Sequence, residues 1–249
     1  MSLAAFVGAD KPVIGMVHLR ALPGSPRWAG SMDAVVHAAI EDARALAEGG
    51  ADALLVENWG DAPFTAGRVD AATVAAMSVV IGEIKRAFAL PFGVNVLRSD
   101  ALSALAVAAA TGARFVRVNV HVGAVATDQG ILESAAHDSL RYRRLLGLDI
   151  KILADVQAKH GMPLAPVPLE QEARDCVCRG LADALIVTGA ATGEPTPLLV
   201  GSGATAETAA TLLSIADGLI VGTALKRDGI VTNPVDPRRV RRLVEAARG

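Results

Sequence analysis

Polar residues recur at the ends of short apolar runs, with types and phasing suited to acid/base chemistry. In residues 114–121 the valines 116, 118 and 120 form one row, and Arg117, Asn119 and His121 form the other, because side chains alternate across a strand. The same alternation in residues 92–97 sets Val94 and Val96 against Asn95. His18 ends one such run, Glu57 a second, and Asp155 a third, with Lys159 and His160 just beyond. Carboxylates, an imidazole and an amine brought together can pass protons to and from a substrate. Asp155 is the expected general acid/base, with His18 and Glu57 as its partners or as ligands for substrate hydroxyls. Lys159 is the alternative working amine, tuned by Asp155 and His160. Asn95, Arg117 and Asn119 are expected to orient substrate or stabilise a developing oxyanion, with His121, His160 and Thr188 as further substrate-binding residues. The structural alternatives are a hydrogen-bonded core role for His18 or His121, and a buried ion pair between Arg117 and Glu57. Convergence favours a site, because several desolvated polar groups are costly unless something uses them.

Near the C-terminus two apolar runs end in glycine turns, Gly201-Ser202-Gly203 and Gly222-Thr223. Glycine lets backbone N–H groups approach an anion closely, so Gly201, Ser202, Gly203, Gly222 and Thr223 are the expected phosphate-binding residues. A short helix over residues 223–227, with Lys226 nearby, would add its dipole. The alternative is two tight turns that simply need glycine. An Asp/Glu/His set could also hold a divalent metal, but no His-x-x-x-His spacing is present, so metal stays unassigned and no cofactor is identified. Cys176 and Cys178 lie two apart in a helical pattern and point different ways, so they read as free thiols in a reducing compartment.

The elements that must position these groups alternate regularly. Strands are predicted over residues 13–18, 53–57, 92–97, 114–121, 150–156, 184–188, 198–200 and 218–221. Helical periodicity marks 31–48, 70–88, 101–110, 131–146, 169–179, 205–215 and 237–247. With no composition shift or linker, this is a single α/β domain over residues 1–249 with a parallel sheet. Eight strands in 249 residues suit a (β/α)8 TIM barrel, whose sites lie at the carboxyl ends of the strands. The runner-up, a doubly wound open sheet, lacks its glycine fingerprint after His18. Only residues 189–197 separate the sixth and seventh strands, fewer than the dozen or so of an ordinary crossover, so the sixth helix reads as missing or shortened. With the valines outside, the barrel interior is expected to be given over to polar groups.

Twenty-four Lys and Arg against 26 Asp and Glu leave a charge of −2, which argues against nucleic-acid partners. A mean hydropathy of +0.40 raises the membrane question. No apolar run approaches the roughly 20 residues of a spanning helix, and residues 1–10 lack the pattern of a signal peptide. The expectation is a cytoplasmic protein without an integral membrane segment. Peripheral membrane association and homo-oligomerisation stay open.

Several segments together resemble the BtpA family: GMVHLRALPGSP at residues 15–26, ENWGDAPF at 57–64, GVNVLRSD at 93–100 and FVRVNVHVG at 115–123. TDQG at 127–130, ADVQAKH at 154–160, VGSG at 200–203 and GLIVGT at 218–223 extend the match over nearly the whole chain. The resemblance, to a family that includes SgcQ-type proteins, implies a barrel of the ribulose-phosphate-binding type. The departure is at residues 193–197, GEPTP, where the family carries a fuller helix. The expected function is a barrel enzyme acting by acid/base chemistry on a small phosphorylated metabolite, sugar- or nucleotide-like, as a lyase, isomerase or hydrolase. The alternative, implied by the family's name, is a non-catalytic biogenesis or assembly factor for a membrane complex of the photosystem I type.

Overall fold

Burial follows the period-2 and period-3.6 patterns closely. In the computed structural model, which describes residues 2–187 and 196–249, eight parallel strands close into a barrel. They are β1 (Val13–His18), β2 (Ala53–Glu57), β3 (Phe92–Asn95), β4 (Phe115–Val118), β7 (Lys151–Asp155), β9 (Ala184–Val187), β10 (Leu198–Gly201) and β11 (Gly218–Val221). Closure is direct, with Val13, Ile14 and Gly15 of β1 opposite Leu219, Ile220 and Val221 of β11. The outward valines and leucines, among them Val17, Val56, Val94, Val116 and Val118, are buried under helices α2 (Met32–Glu48), α3 (Ala71–Ala87), α4 (Ala101–Thr111), α7 (Ala209–Ile215) and α8 (Pro237–Arg248). Full burial of each such side chain stabilises the fold by about 1.5–3 kcal/mol. Ser31, Asp100 and Asp236 cap α2, α4 and α8 by accepting backbone N–H bonds.

The interior departs from expectation. Its lower half is apolar, built from Ile14, Met16, Leu55, Phe115, Leu153, Ile186, Leu199 and Ile220. The short α1 (Ala4–Val7) adds Phe6 from below, its ring centroid 6.0 Å from that of Phe115. Gly93 makes room for the Phe115 ring, since a Cβ there would stand 2.2 Å from Cε2. The polar row occupies the upper layer, and Lys151 at the lower end is buried with its amine donating to Asp149.

Three further expectations are corrected. Residues 131–146 are not one helix. β6 (Gly130–Glu133) pairs with β5 (Ala124–Thr127), which also pairs with β8 (Gly161–Pro163), and α5 (Ala136–Leu146) follows. The turn at Thr127–Gly130, with Gly130 at φ +110°, folds the chain back into a hairpin before the helix can begin. Residues 205–208 form a threonine-braced turn, with the Thr205 N–H donated to Thr208 Oγ1, so α7 starts only at Ala209. Residues 223–227 are a 3₁₀ turn, Thr223–Leu225, and Lys226 beyond it is 2% exposed and paired with the Asp42 carboxylate, so its charge is already matched.

Ten residues, 188–197, join β9 to β10, which pair in parallel with Leu198 opposite Leu185. The expected site residue Thr188 and most of the shortened sixth crossover lie outside the described residues. The last helix before that connection, α6 (Leu169–Cys178), buries Cys176 and leaves Cys178 exposed. Among the described residues, no helix is long and apolar enough to cross a membrane.

Candidate active site

Strand register gathers the site. His18 pairs with Glu57, Glu57 with Asn95, and Asn95 with Arg117, so four successive strands each contribute one residue to a single row. Paired residues in a parallel sheet point to the same face, and here that face is the barrel interior. Asp155 ends β7 beside this row, and Asn119 lies one residue past the end of β4.

These groups are tightly connected. Arg117 Nε and Nη2 donate to Asp155 Oδ1 and Oδ2, both at 2.9 Å, and Asn119 Nδ2 donates to Oδ2 at 2.8 Å. Asn95 Nδ2 donates to Glu57 Oε2 at 2.5 Å, while His18 Nε2 stands 3.7 Å from Glu57 Oε1. Burial pushes the Glu57 carboxyl up from its ordinary value. Arg117 and the Asn95 bond pull against that shift, and Asp155 adds to it. Burial, helped by Lys226, lowers the His18 imidazole to about 3, so His18 is neutral at physiological pH. Burial alone would lower the Arg117 guanidinium, but Asp155 and Glu57 outweigh it and the net shift is upward.

Above the row opens a cavity of about 880 Å³. His18, Glu57, Arg117, Asn119, Asp155, Lys159 and His160 line it together with Ser202, Gly203, Gly222 and Thr223. Lys159 Nζ lies 3.3 Å from Ser202 Oγ, so the amine sits at the first glycine turn. Gly222 is required there, because a Cβ would come within 2.9 Å of His18 Cε1. Among the described residues, no three His, Cys, Asp or Glu side chains assemble as a metal set.

Not every expected residue reaches the cavity. Asn95 is buried behind Glu57 as its hydrogen-bond partner, and Gly201 packs against Ile186, where a Cβ would stand 2.6 Å from Cγ2. His121 is a correction. It is fully buried, with Nε2 2.7 Å from the Gly180 carbonyl, outside the barrel row. β4 ends at Val118, so strand alternation no longer governs residue 121 and its side chain turns into the wall beside α6. The Asp155 geometry also differs from that of a free base, because its two oxygens accept three hydrogen bonds.

Trp59, Phe64, Leu97, Arg98, Asp128 and Gln129 line the cavity without having been singled out for chemistry. They follow strand ends or sit on the β5–β6 hairpin, where no periodicity marks them. The signal that could have found them is their place inside the ENWGDAPF, VNVLRSD and TDQG segments. Six buried side-chain polar atoms have no hydrogen-bond partner among the described residues, and four of them belong to cavity-lining residues: His18 Nδ1, Arg98 Nε, Asn119 Oδ1 and Gln129 Oε1. Such atoms are expensive to bury unless a ligand pairs with them.

Comparison with known proteins adds ancestry to this geometry. The profile of the BtpA family matches residues 9–249. The chain is 46% identical over 261 residues to the photosystem I biogenesis protein BtpA of Synechocystis, covering 99% of this chain and 91% of that one. It is 46% identical over 252 residues to an uncharacterized protein of Thermococcus kodakarensis, covering 96% and 95% of the two chains. To the putative sgc region protein SgcQ of Escherichia coli it is 33% identical over 261 residues, covering 98% and 96%. Among solved structures it resembles thiamine phosphate pyrophosphorylase from Pyrococcus furiosus, with a TM-score of 0.58 at 14% identity and 96% of each chain covered. N-(5'-phosphoribosyl)anthranilate isomerase from the same organism gives 0.57 at 15% identity, with 95% and 98% covered. At such identities the likeness establishes the TIM-barrel fold alone.

Proposed function

The chain belongs to the BtpA family, and on that premise we propose that it is an enzyme that binds a small phosphorylated metabolite and acts on it by acid/base chemistry. The observation that carries this reading is the pairing of Glu57 and His18 beneath the cavity. A carboxyl raised by burial stands 3.7 Å from a neutral imidazole and shares its cavity with a fixed guanidinium. A carboxyl shifted in this direction can both hold and release a proton nearer neutral pH, so Glu57 takes the general acid/base role and the neutral His18 imidazole serves as a hydrogen-bonding ligand for a substrate hydroxyl. Arg117, fixed by Asp155, which Asn119 in turn anchors, supplies positive charge where an oxyanion develops. Asp155 becomes a positioning residue in this scheme, since its two oxygens already accept three hydrogen bonds from Arg117 and Asn119. The turns at Gly203 and Gly222-Thr223, with Lys159 beside Ser202, hold the phosphate. Isomerisation, elimination and hydrolysis all fit such a set, which calls for proton transfer and charge stabilisation. Metabolites of this kind are cytoplasmic, and we place the protein there.

The name of the Synechocystis relative favours a second reading, a non-catalytic biogenesis factor that uses the barrel as a binding surface. The partnerless polar atoms around the cavity favour the enzyme, because a passive surface has no use for them.

Incubation of the protein with a mixture of phosphorylated cell metabolites, followed by mass spectrometry, tests the proposal. The wild type should consume one species that the Glu57→Gln variant leaves intact while still being thermally stabilised by it. No consumption, together with no stabilisation by any phosphorylated species at millimolar concentration, sinks the enzyme reading in favour of the second.

A further inference from the structure

The placement of aromatic side chains points to one class of phosphorylated ligand. The chain has five Phe, two Trp and one Tyr. Phe6, Phe92 and Phe115 are buried in the core, and Trp28, Phe88 and Tyr142 pack on it. The remaining two, Trp59 and Phe64, belong to neither group. Both are half-buried in the segment after β2, and both line the cavity.

Trp59 is held in place rather than left loose. The Gly60 N–H donates to the Leu19 carbonyl at 2.9 Å, and a Cβ on Gly60 would stand 2.3 Å from the Ala21 nitrogen, so the segment is pressed against the loop after β1. Asp61 accepts from the Leu22 N–H at 2.8 Å, and Asn58 Oδ1 accepts from the Leu97 N–H at 2.7 Å. Loops on both sides therefore fix the backbone that carries the indole, whose ring centroid lies 6.0 Å from that of His18. A rigid aromatic face lining a cavity is a stacking platform, because it binds a planar ring with little loss of side-chain freedom. The cavity, at about 880 Å³, offers more room than a bare sugar phosphate fills. Gln129 adds a polar partner: its amide nitrogen is bonded to Asp128, and its buried Oε1 is free to accept a ring N–H.

Resting on the phosphate-binding proposal above, we infer that the ligand carries a planar heteroaromatic ring of nucleobase size. The ring lies against Trp59 and Phe64, with the phosphate at the Gly203 and Gly222 turns.

The test is titration of a Trp28→Phe protein, in which Trp59 is the sole indole, with inorganic phosphate, ribose 5-phosphate, adenosine 5'-monophosphate and uridine 5'-monophosphate. Binding is read by fluorescence and calorimetry. At least one nucleotide should quench Trp59 and bind about tenfold or more tighter than ribose 5-phosphate. Trp59→Leu should bring that nucleotide down to the ribose 5-phosphate affinity, which itself stays unchanged. Phe64→Leu, expected to reduce the same advantage, keeps the test decisive if Trp59→Leu fails to fold. If ribose 5-phosphate binds as tightly as both nucleotides in parent and variants alike, the ring is overturned and phosphate binding stands. If none of the four binds, phosphate binding falls and this inference falls with it.

Discussion

Arg117 grips Asp155 through two parallel hydrogen bonds of 2.9 Å, a fork meeting a carboxylate across the neighbouring strands β4 and β7. The pair is buried, with the Asp155 side chain 6% exposed and that of Arg117 18%. Removing one partner leaves the other charge without its counterpart. Arg117→Ala should therefore lower unfolding stability by about 2–4 kcal/mol, tempered by the solvent that reaches the guanidinium. Urea denaturation measures it, and a loss below about 0.5 kcal/mol would show that the pair contributes nothing structural.

Glu57 and His18 should impose opposite pH dependences. Glu57 has a native pKa raised above its ordinary 4.5, so its contribution to stability is full below that value and is lost as pH rises through the native pKa. His18 has a native value of about 3 against an ordinary 6.5, so its contribution is full above 6.5 and is lost as pH falls toward 3. The stability of wild type relative to Glu57→Gln should fall as pH rises above 4.5. Relative to His18→Asn it should rise between pH 4 and 7. Thermal melts across pH decide both, and a flat difference in either series contradicts the corresponding shift.

Gly222 and Gly82 separate crowding from helix propensity. A Cβ at Gly222 stands 2.9 Å from His18 Cε1 and 3.3 Å from Met16 Cγ, so Gly222→Ala must displace the His18 ring. We expect ligand affinity to fall about tenfold or more, the penalty of a misplaced group in a preorganised site. Gly82, inside α3 with no atom within 4 Å of an added Cβ, should accept alanine with a gain of about 0.5–1 kcal/mol and unchanged affinity. Calorimetry and thermal melts on the two variants check this, and equal effects on binding would refute it.

His121 should prove structural. Its ring nitrogen bonds to the Gly180 carbonyl inside the wall, and it does not line the cavity. His121→Ala should cost about 1–3 kcal/mol of stability by orphaning that carbonyl and opening a void. Affinity for a phosphorylated ligand should not change, and a selective loss of binding with stability intact would reverse the assignment.

The barrel was legible in the sequence because its outward valines and amphipathic helices follow periods set by backbone geometry. So were His18, Glu57, Arg117 and Asp155, which sit at strand ends where alternation still holds. His121 was misread because its strand stops three residues earlier. The β5–β6 hairpin was misread because an apolar residue such as Ile131 looks alike in a helix and in a short exposed strand. Trp59 was invisible as a site residue, since nothing in its spacing tells a cavity wall from a core.

By itself, then, the sequence determined the barrel, its eight strands and the polar groups at their carboxyl ends, because these follow from local periodicity. Tertiary structure alone decided which polar groups meet. Register set His18, Glu57, Asn95 and Arg117 in one row and locked Asp155 to Arg117. Hydrogen bonding and desolvation depend on neighbours far apart in the chain, and no local pattern encodes those distances.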